Sequence, residues 1–353
     1  MSLLTLLTIT FATLTSAHHK PPLHHPNPFS WQTTTHLIAF GDSYTYIQGT
    51  FGRQNFSFIG DSQHLSSPAS TLLTNQIVQN QTSTAEGGPN WIEILTGCGM
   101  EPGLTDPKTC AKQVWDFAFG GADISTEWLP LHHPYTTSFV NQTRQFAEYG
   151  DPALSSSDLV PDKEGALVAV WMGINDINDS ADGELIPAGM SYREFYQKLQ
   201  ESLFEALESN VLAKGYRKFL FVTLSPLDRT PGNVERKEGE KLPNATMIEW
   251  FNDALRNQAE AFQARHGHKE EGVEVMIYDS TTFLNHVLDS PEEFGIKNTT
   301  DYCRAYDQPY VDTDPGRYGC QPLDEFLYVL CLLFLPSPPL FPLQPCNPIH
   351  PSS

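Results

Sequence analysis

Apolar and polar positions along the chain follow a pattern that predicts strands and helices in turn. Five short apolar runs are typical of strands, at residues 36–40, 114–119, 166–172, 218–224 and 273–279. The third run is apolar throughout, as expected of a strand buried on both faces. Stretches with helical periodicity follow the later runs, at residues 140–149, 191–213, 245–267 and 281–288. This alternation predicts a parallel sheet with helices on both faces.

The segment between the first two strands gives weaker signals. Residues 45–90 are rich in Gly, Ser, Thr and Asn, and we predict a long loop there with one short helix near residues 70–79. A second short helix is expected to begin after Pro89 and to end near Leu95. Because no linker separates the apolar runs, residues 36–328 are expected to form one domain.

Both ends of the chain differ from this predicted domain. Residues 1–17 are typical of a secretory signal peptide, because residues 3–14 lack charge and Thr15-Ser16-Ala17 offers small residues for cleavage. The apolar run is shorter than the roughly 20 residues of a membrane-spanning helix, so no membrane anchor is expected. Residues 18–35 are rich in His and Pro, and we expect a disordered leader, with a metal-binding tract as the alternative.

The last 25 residues have a composition unlike that of the rest of the chain. Residues 329–353 contain no charged residue and seven prolines. Proline removes a backbone donor and interrupts helices, so this tail is expected to be disordered. We interpret it as translated non-coding sequence, such as a retained intron.

Charge and cysteine content narrow the class of protein. Acidic residues outnumber basic residues 42 to 21, and the net charge of −21 argues against binding to nucleic acid or anionic membranes. Six cysteines and six N-x-S/T sequons fit a secreted, glycosylated chain. Cys98 and Cys110 flank one loop, and Cys303 and Cys320 flank another, so we expect local disulfides. No C-x-x-C or H-x-x-x-H spacing indicates a zinc site.

Three predicted strands end in residues suited to acyl transfer. Ser43 follows the first strand, Gly121 the second and Asn175 the third. The carboxyl ends of parallel strands lie on one edge of a sheet, so these residues are expected to converge. Acyl transfer needs a nucleophile and donors aimed at the developing oxyanion. Ser43 offers the hydroxyl, while Gly121 and Asn175 offer N–H donors. Asp42 and Asp176 are expected to fix their own loops through backbone N–H groups.

The residues around these three positions resemble the sequence blocks of one enzyme family. Segments 41–44, 117–122 and 173–176 are similar, in order and spacing, to the first three blocks of the GDSL, or SGNH, hydrolases. The resemblance implies a flavodoxin-like three-layer α/β/α sandwich with a five-stranded parallel sheet, and hydrolysis of carboxylic esters without cofactor or metal. It also implies that Ser43 is the nucleophile and that Gly121 and Asn175 complete the oxyanion hole. Asp116 stands where the family usually has Asn, and it is expected to hydrogen-bond locally.

A serine nucleophile needs a base, and the family takes it from a late Asp-x-x-His-Pro block. Residues 347–351 read Asn-Pro-Ile-His-Pro, which resembles that block with Asn in place of Asp. We therefore name His350 as the candidate base. A neutral Asn would orient the imidazole without stabilising the imidazolium as a carboxylate does. His132 and His133 are predicted to lie in a surface loop.

Residues 225–231 look like a fungal-type branch of the family that contains secreted acetyl esterases of plant cell-wall polysaccharides. The chain is predicted to be a monomeric, secreted serine esterase. Tyr44, Tyr46 and Trp91 are candidates for stacking on a sugar ring of the substrate. The alternative is a catalytically impaired binding protein or a truncated gene product that lacks the base block. A dinucleotide- or flavin-binding protein is disfavoured because no G-x-G-x-x-G follows the first strand. A metal-dependent hydrolase is disfavoured for want of clustered ligands in the sequence.

Overall fold

The computed structural model describes residues 29–328 except residues 62–65, 86, 158, 160–162, 269–271 and 307. The predicted signal peptide, residues 18–28 of the leader and the tail at 329–353 lie outside the described residues, and so do Cys331, Cys346 and His350.

A five-stranded parallel sheet forms the centre of the domain. Its strands are β1 (His36–Gly41), β5 (Gln113–Asp116), β6 (Ala166–Trp171), β7 (Lys218–Val222) and β8 (Glu274–Tyr278). They lie in the order β5-β1-β6-β7-β8, and every neighbouring pair is parallel. This is the flavodoxin-like order, in which the first strand of the sheet lies between the second and the third. The direction in which strands are added reverses at β1. The predicted fold class is confirmed.

The helices cover the sheet in the manner predicted. They are α1 (Ala69–Leu73), α2 (Trp91–Thr96), α3 (Phe139–Gln145), α4 (Asp151–Ser156), α5 (Ile174–Asp179), α6 (Tyr192–Asn210), α7 (Pro231–Val234), α8 (Ala245–His266) and α9 (Ser280–Asp289), with a π-helical turn at Phe146–Gly150. The long helix α6 begins at the predicted cap, because the Ser191 hydroxyl accepts a hydrogen bond from Glu194 N and the Glu194 carboxylate accepts one from Ser191 N.

Aromatic packing fixes several of the helices to the sheet. Phe40 of β1 contacts Phe139 of α3 with ring centroids 5.9 Å apart. Phe219 of β7 contacts Phe262 of α8 at 5.2 Å, edge to face. Edge-to-face pairs of buried rings add to the free energy gained from burial. On β8, Tyr278 contacts Phe283 of α9 at 6.1 Å.

The segment between β1 and β5 differs from the prediction of a long loop. It holds a second sheet of three short antiparallel strands, β2 (Gln48–Gly49), β3 (Ile77–Gln79) and β4 (Gly103–Thr105). The helix predicted near residues 70–79 therefore ends at Leu73, and its second half is strand β3. Strands of two or three residues are too short to give a recognisable alternation of polar and apolar positions.

No helix follows the first strand directly, although such a junction is common in α/β folds. Residues 42–46 form turns, in which Thr45 N and Tyr46 N both donate to Asp42 O. A turn that leads into β2 therefore stands where a strand–turn–helix junction would place a helix.

Both predicted local disulfides are present. Cys98 is bonded to Cys110 and Cys303 to Cys320, with Cα atoms 5.5 and 5.4 Å apart. Each bond closes a short loop in a region that has little regular structure of its own.

The last residues of the predicted leader pack on the domain. Trp31 lies against the core, and the Lys112 Nζ donates to the carbonyl groups of Trp31 and Thr34 at 2.7 and 2.6 Å. The same ammonium group lies 4.7 Å from the centre of the Trp31 ring. Across the described residues, no helix is both long and apolar enough to cross a membrane.

Candidate active site

The three strand-end residues converge at the carboxyl edge of the sheet, as their positions predict. β1 lies between β5 and β6, and Phe119 N donates to Gly41 O at 3.1 Å, which joins the ends of β1 and β5. The Asn175 Nδ2 donates to Ala122 O at 2.8 Å, which joins the start of α5 to the loop that contains Gly121. Ser43, with 9% of its surface exposed, lies on the turn that follows β1.

Gly41 makes the tight turn before Ser43 possible. A Cβ atom on Gly41 would lie 2.7 Å from Thr45 Cβ and 2.9 Å from Trp171 O, which is closer than real contacts allow. The peptide groups of Gly41 are also held by one side chain: Gln142 Nε2 donates to Gly41 O at 2.8 Å, and Gly41 N donates to Gln142 Oε1 at 3.1 Å. The turn therefore places Ser43 through backbone contacts that leave no room for a side chain at position 41.

Of the two acidic residues beside the site, Asp42 fixes its own loop, as predicted, whereas Asp176 binds the loop after β5. Asp42 Oδ1 accepts from Tyr44 N at 3.0 Å. Burial raises the pKa of Asp42 to about 7, and the N–H groups of Tyr44 and Gly173 oppose that rise. Asp176 Oδ1 accepts from Ile124 N at 2.9 Å, and burial raises the pKa of Asp176 to about 8. Each carboxyl group binds a backbone donor of the site and is shielded from water.

Asp116 takes a local structural role where the family usually has Asn. Its two carboxylate oxygens accept from Ile47 N at 2.8 Å and from Ala118 N at 2.9 Å. Burial raises the pKa of Asp116 well above its ordinary value. The departure from the family pattern thus keeps a hydrogen-bonded link between the end of β5 and the segment after Ser43.

Gly121 has a backbone conformation that favours glycine. Its φ angle is +79°, in the left-handed region. A Cβ atom on Gly121 would lie 3.6 Å from both Cβ and Nδ1 of His132, so a side chain would not clash there. The positive φ angle would nevertheless strain the backbone of any residue other than glycine. The imidazole of His132 therefore borders the position of a candidate oxyanion donor.

His132 is not the surface residue that the sequence suggests. Only 16% of its side chain is exposed, and its Nε2 lies 2.5 Å from Asp179 Oδ2 and 3.7 Å from Asp123 Oδ2. Burial raises the pKa of Asp123 well above its ordinary value, with further contributions from the negative charges of Asp176 and Asp179. Sequence reasoning missed this group because Asp179 lies in a different segment from Asp123 and His132, and the three residues follow no metal-site or catalytic spacing.

Half-buried aromatic rings border Ser43. Tyr44 stacks on Trp171 with centroids 4.9 Å apart and planes 27° apart, and Trp91 meets the same indole edge to face at 6.0 Å. The Trp91 Nε1 donates to Thr45 Oγ1 at 3.2 Å. Tyr46, in contrast, is only 2% exposed and packs inside the domain. Of the three rings guessed to stack on sugar, two lie beside the candidate nucleophile and one is core.

Comparison with known families matches residues 37–328 to the GDSL-like lipases/acylhydrolases. The chain belongs to this family. It is accordingly a carboxylic ester hydrolase. The hydrolase is similar to an acetylesterase from Thermothelomyces thermophilus, with 27% identity over 271 residues, which cover 76% of this chain and 78% of the relative.

Solved structures give weaker likenesses to the hydrolase. A mutant of an acetyl-xylooligosaccharide esterase from Geobacillus Stearmophilus shares 15% identity, with 72% of this chain and 80% of that chain covered and a TM-score of 0.31. An alpha/beta hydrolase from the metagenome of Lake Arreo shares 16% identity. The match covers 72% of this chain and 81% of that chain, with a TM-score of 0.28. The flavodoxin-like fold of the hydrolase is shown by its own strand order.

The described residues of the hydrolase bring together Ser43, Gly121 and Asn175. The candidate base His350 lies outside the described residues, and its role stays a prediction from the sequence.

Proposed function

We propose that this GDSL hydrolase is a secreted serine esterase that removes acetyl groups from plant cell-wall polysaccharides through an acyl-enzyme. The observation that carries the proposal is the convergence of Ser43, Gly121 and Asn175 on one edge of the sheet. The chemistry needs a hydroxyl beside fixed N–H donors, and these three residues supply both.

In the proposed first step, Ser43 Oγ attacks the acyl carbon while His350 accepts the hydroxyl proton. The oxyanion is bound by the backbone N–H groups of Ser43 and Gly121 and by Asn175 Nδ2. One hydrogen of that amide is already donated to Ala122 O, which fixes the amide and leaves its second hydrogen for the substrate. The protonated base then returns the proton to the departing alcohol. Water attacks the acyl-enzyme in the second step and releases acetate.

Two features support acetylated polysaccharide as the substrate. The similar protein from Thermothelomyces thermophilus is named an acetylesterase. The rings of Tyr44, Trp91 and Trp171 lie next to Ser43, and aromatic rings offer flat apolar surfaces to the apolar faces of sugar rings. The predicted signal peptide, two disulfides and the acidic composition support secretion.

The test is acetate release from acetylated xylooligosaccharides and hydrolysis of 4-nitrophenyl acetate, measured with the full chain and with Ser43→Ala. Ser209→Ala is the matched control, since Ser209 is exposed on α6 near the opposite edge of the sheet. We expect turnover by the wild type and the control, and at least a 10³-fold loss with Ser43→Ala. Equal activity of Ser43→Ala and wild type would overturn the role of Ser43.

The base is tested separately. His350→Ala should abolish turnover, and Asn347→Asp should raise kcat because a carboxylate stabilises the imidazolium formed during attack. If the wild type is inactive and a chain with a restored Asp-x-x-His-Pro end is active, the chain as written is a truncated gene product that lacks the base block. If both are inactive, the alternative of a binding protein is the correct one.

A further inference from the structure

Asp123, His132 and Asp179 form a compact group beside the candidate oxyanion hole. One ligand atom from each, a carboxylate oxygen or an imidazole nitrogen, lies within 4.8 Å of the other two. Asp123 follows Gly121 by two residues, and Asp179 is the last residue of α5, the helix whose second residue is Asn175. We call these three residues the His132 cluster.

The carboxyl group of Asp123 is buried without a hydrogen bond. The residue is 1% exposed, and both of its carboxylate oxygens lack a hydrogen-bond partner among the described residues. A buried carboxylate without donors is costly. Protonation alone does not satisfy the group, because the new O–H would need an acceptor and the second oxygen would still lack a donor. The carboxyl group points into the cluster, with Oδ2 at 3.7 Å from His132 Nε2.

The surroundings of the cluster are rich in carboxyl groups. The carboxyl groups of Asp42 and Asp176 are close enough to repel that of Asp123, and both are completely buried. Within the described part of the chain, no Lys or Arg forms an ion pair with any of these acidic groups. A single imidazole therefore faces several acidic groups, which favours a bound cation.

We propose that Asp123, His132 and Asp179 bind one divalent transition-metal ion, with zinc as the preferred ion. An imidazole nitrogen with two carboxylate oxygens suits zinc and disfavours calcium and magnesium, which select oxygen ligands. Two ligands of a tetrahedral zinc ion lie about 3.3 Å apart, and the separations of 2.5 and 3.7 Å in the cluster bracket that distance. Small side-chain shifts would equalise them.

The proposed ion has a structural role that does not depend on the esterase proposal. It would tie the loop that contains Gly121 to the end of the helix that begins beside Asn175. The bonds to the metal ion would then hold Gly121 and Asn175, the two candidate oxyanion donors, in a fixed relative position. The expected consequences are a higher melting temperature with zinc and a loss of that increase when a ligand is removed.

The test needs a chain whose histidine-rich leader does not compete for zinc. The leader contains four histidines, His18, His19, His24 and His25, so the full chain is prepared without an affinity tag and with these histidines replaced by Ser. After treatment with EDTA and dialysis, zinc binding is measured by calorimetry, bound metal by elemental analysis and melting by scanning calorimetry. We expect one zinc ion per chain and, at saturating zinc, a rise in Tm of about 5 °C.

Asp179→Asn and His132→Gln remove one ligand each, and both should lose the zinc-dependent rise in Tm. Glu208→Gln is the matched control, since Glu208 lies 3.2 Å from His266 in an acid–imidazole pair elsewhere on the molecule. Cobalt added to the unsubstituted cluster gives a readout without any variant, because visible absorption reports nitrogen and oxygen coordination. Absence of bound zinc, or equal zinc binding by Asp179→Asn and Glu208→Gln, would overturn the proposal and leave Asp123 as a buried protonated acid.

Discussion

Asp176 and Ile124 connect the two loops that carry the candidate oxyanion donors. The Asp176 Oδ1 accepts a hydrogen bond from Ile124 N at 2.9 Å. Asp176 follows Asn175 in α5, and Ile124 lies three residues after Gly121 in the loop beyond β5. This buried carboxyl group therefore holds the two donors in place together with the hydrogen bond from Asn175 Nδ2 to Ala122 O.

Removing this link should weaken both folding and catalysis. Asp176→Ala leaves Ile124 N without an acceptor, and we expect the free energy of unfolding to fall by about 1–3 kcal/mol. Asp176→Asn keeps an acceptor oxygen and should be close to wild type below pH 7, where the raised pKa of about 8 already leaves the acid neutral. Denaturant unfolding and kcat for an acetyl ester measure both effects. Equal stability of the Ala and Asn variants would contradict the link.

Loss of the side-chain oxyanion donor should act on the transition state. Asn175→Ala removes Nδ2, and removal of one such donor typically lowers kcat about 10²–10³-fold. KM should change little, because the donor is aimed at charge that develops during the reaction. Steady-state kinetics with 4-nitrophenyl acetate test this. A change confined to KM would show that Asn175 binds the ground state instead.

The aromatic rings beside Ser43 should affect large substrates more than small ones. Trp91→Ala removes a half-buried ring next to the site, and we expect kcat/KM for acetylated xylooligosaccharides to fall about tenfold with little change for 4-nitrophenyl acetate. The matched control is Tyr310→Ala, because Tyr310 is an exposed ring, 66% accessible, in the segment after β8. Equal losses on both substrates would mean that Trp91 supports the fold and not a sugar site.

Glu93 should make folding stability depend on pH. Burial raises its pKa to about 8, against hydrogen bonds from Asn90 N and Gln79 Nε2, both at 2.9 Å. Folded Glu93 is therefore protonated over a range in which the unfolded side chain, with an ordinary pKa of 4.5, is ionised. Unfolding releases a proton in that range. The contribution of Glu93 to stability is complete below about pH 4.5 and is lost as the pH rises towards 8.

The measurement is the free energy of unfolding between pH 5 and 8 for wild type and Glu93→Gln. The substitution shifts the absolute stability by a constant, so the slope is the readout. We expect the wild-type value to fall more steeply than that of Glu93→Gln, by up to about 1.4 kcal/mol per pH unit. Parallel curves would show that Glu93 has an ordinary pKa in the folded chain.

The parallel sheet and the edge of the sheet that holds the site follow from the pattern of residues in the sequence, whereas the flavodoxin-like order of the strands is implied only by the family resemblance. Apolar runs separated by helical periodicity specify a parallel sheet, and such a sheet places all carboxyl ends on one edge whatever the loops do. The convergence of Ser43, Gly121 and Asn175 could therefore be predicted from the sequence without the structure. The disulfides and the cap at Ser191 are also local features, set by residues close in the chain.

Other features of the site were decided by tertiary structure. The His132 cluster joins two segments of the chain, the loop after β5 and the end of α5, so the proximity of its members arises only when that loop folds over α5. Tyr44 and Tyr46 look alike in sequence, yet one lies half-buried beside Trp171 and the other is 2% exposed. The short strands β2, β3 and β4 pair with partners distant in the chain. Burial and long-range pairing depend on the whole packed chain, whereas the type of each element depends on periodicity that its segment carries by itself.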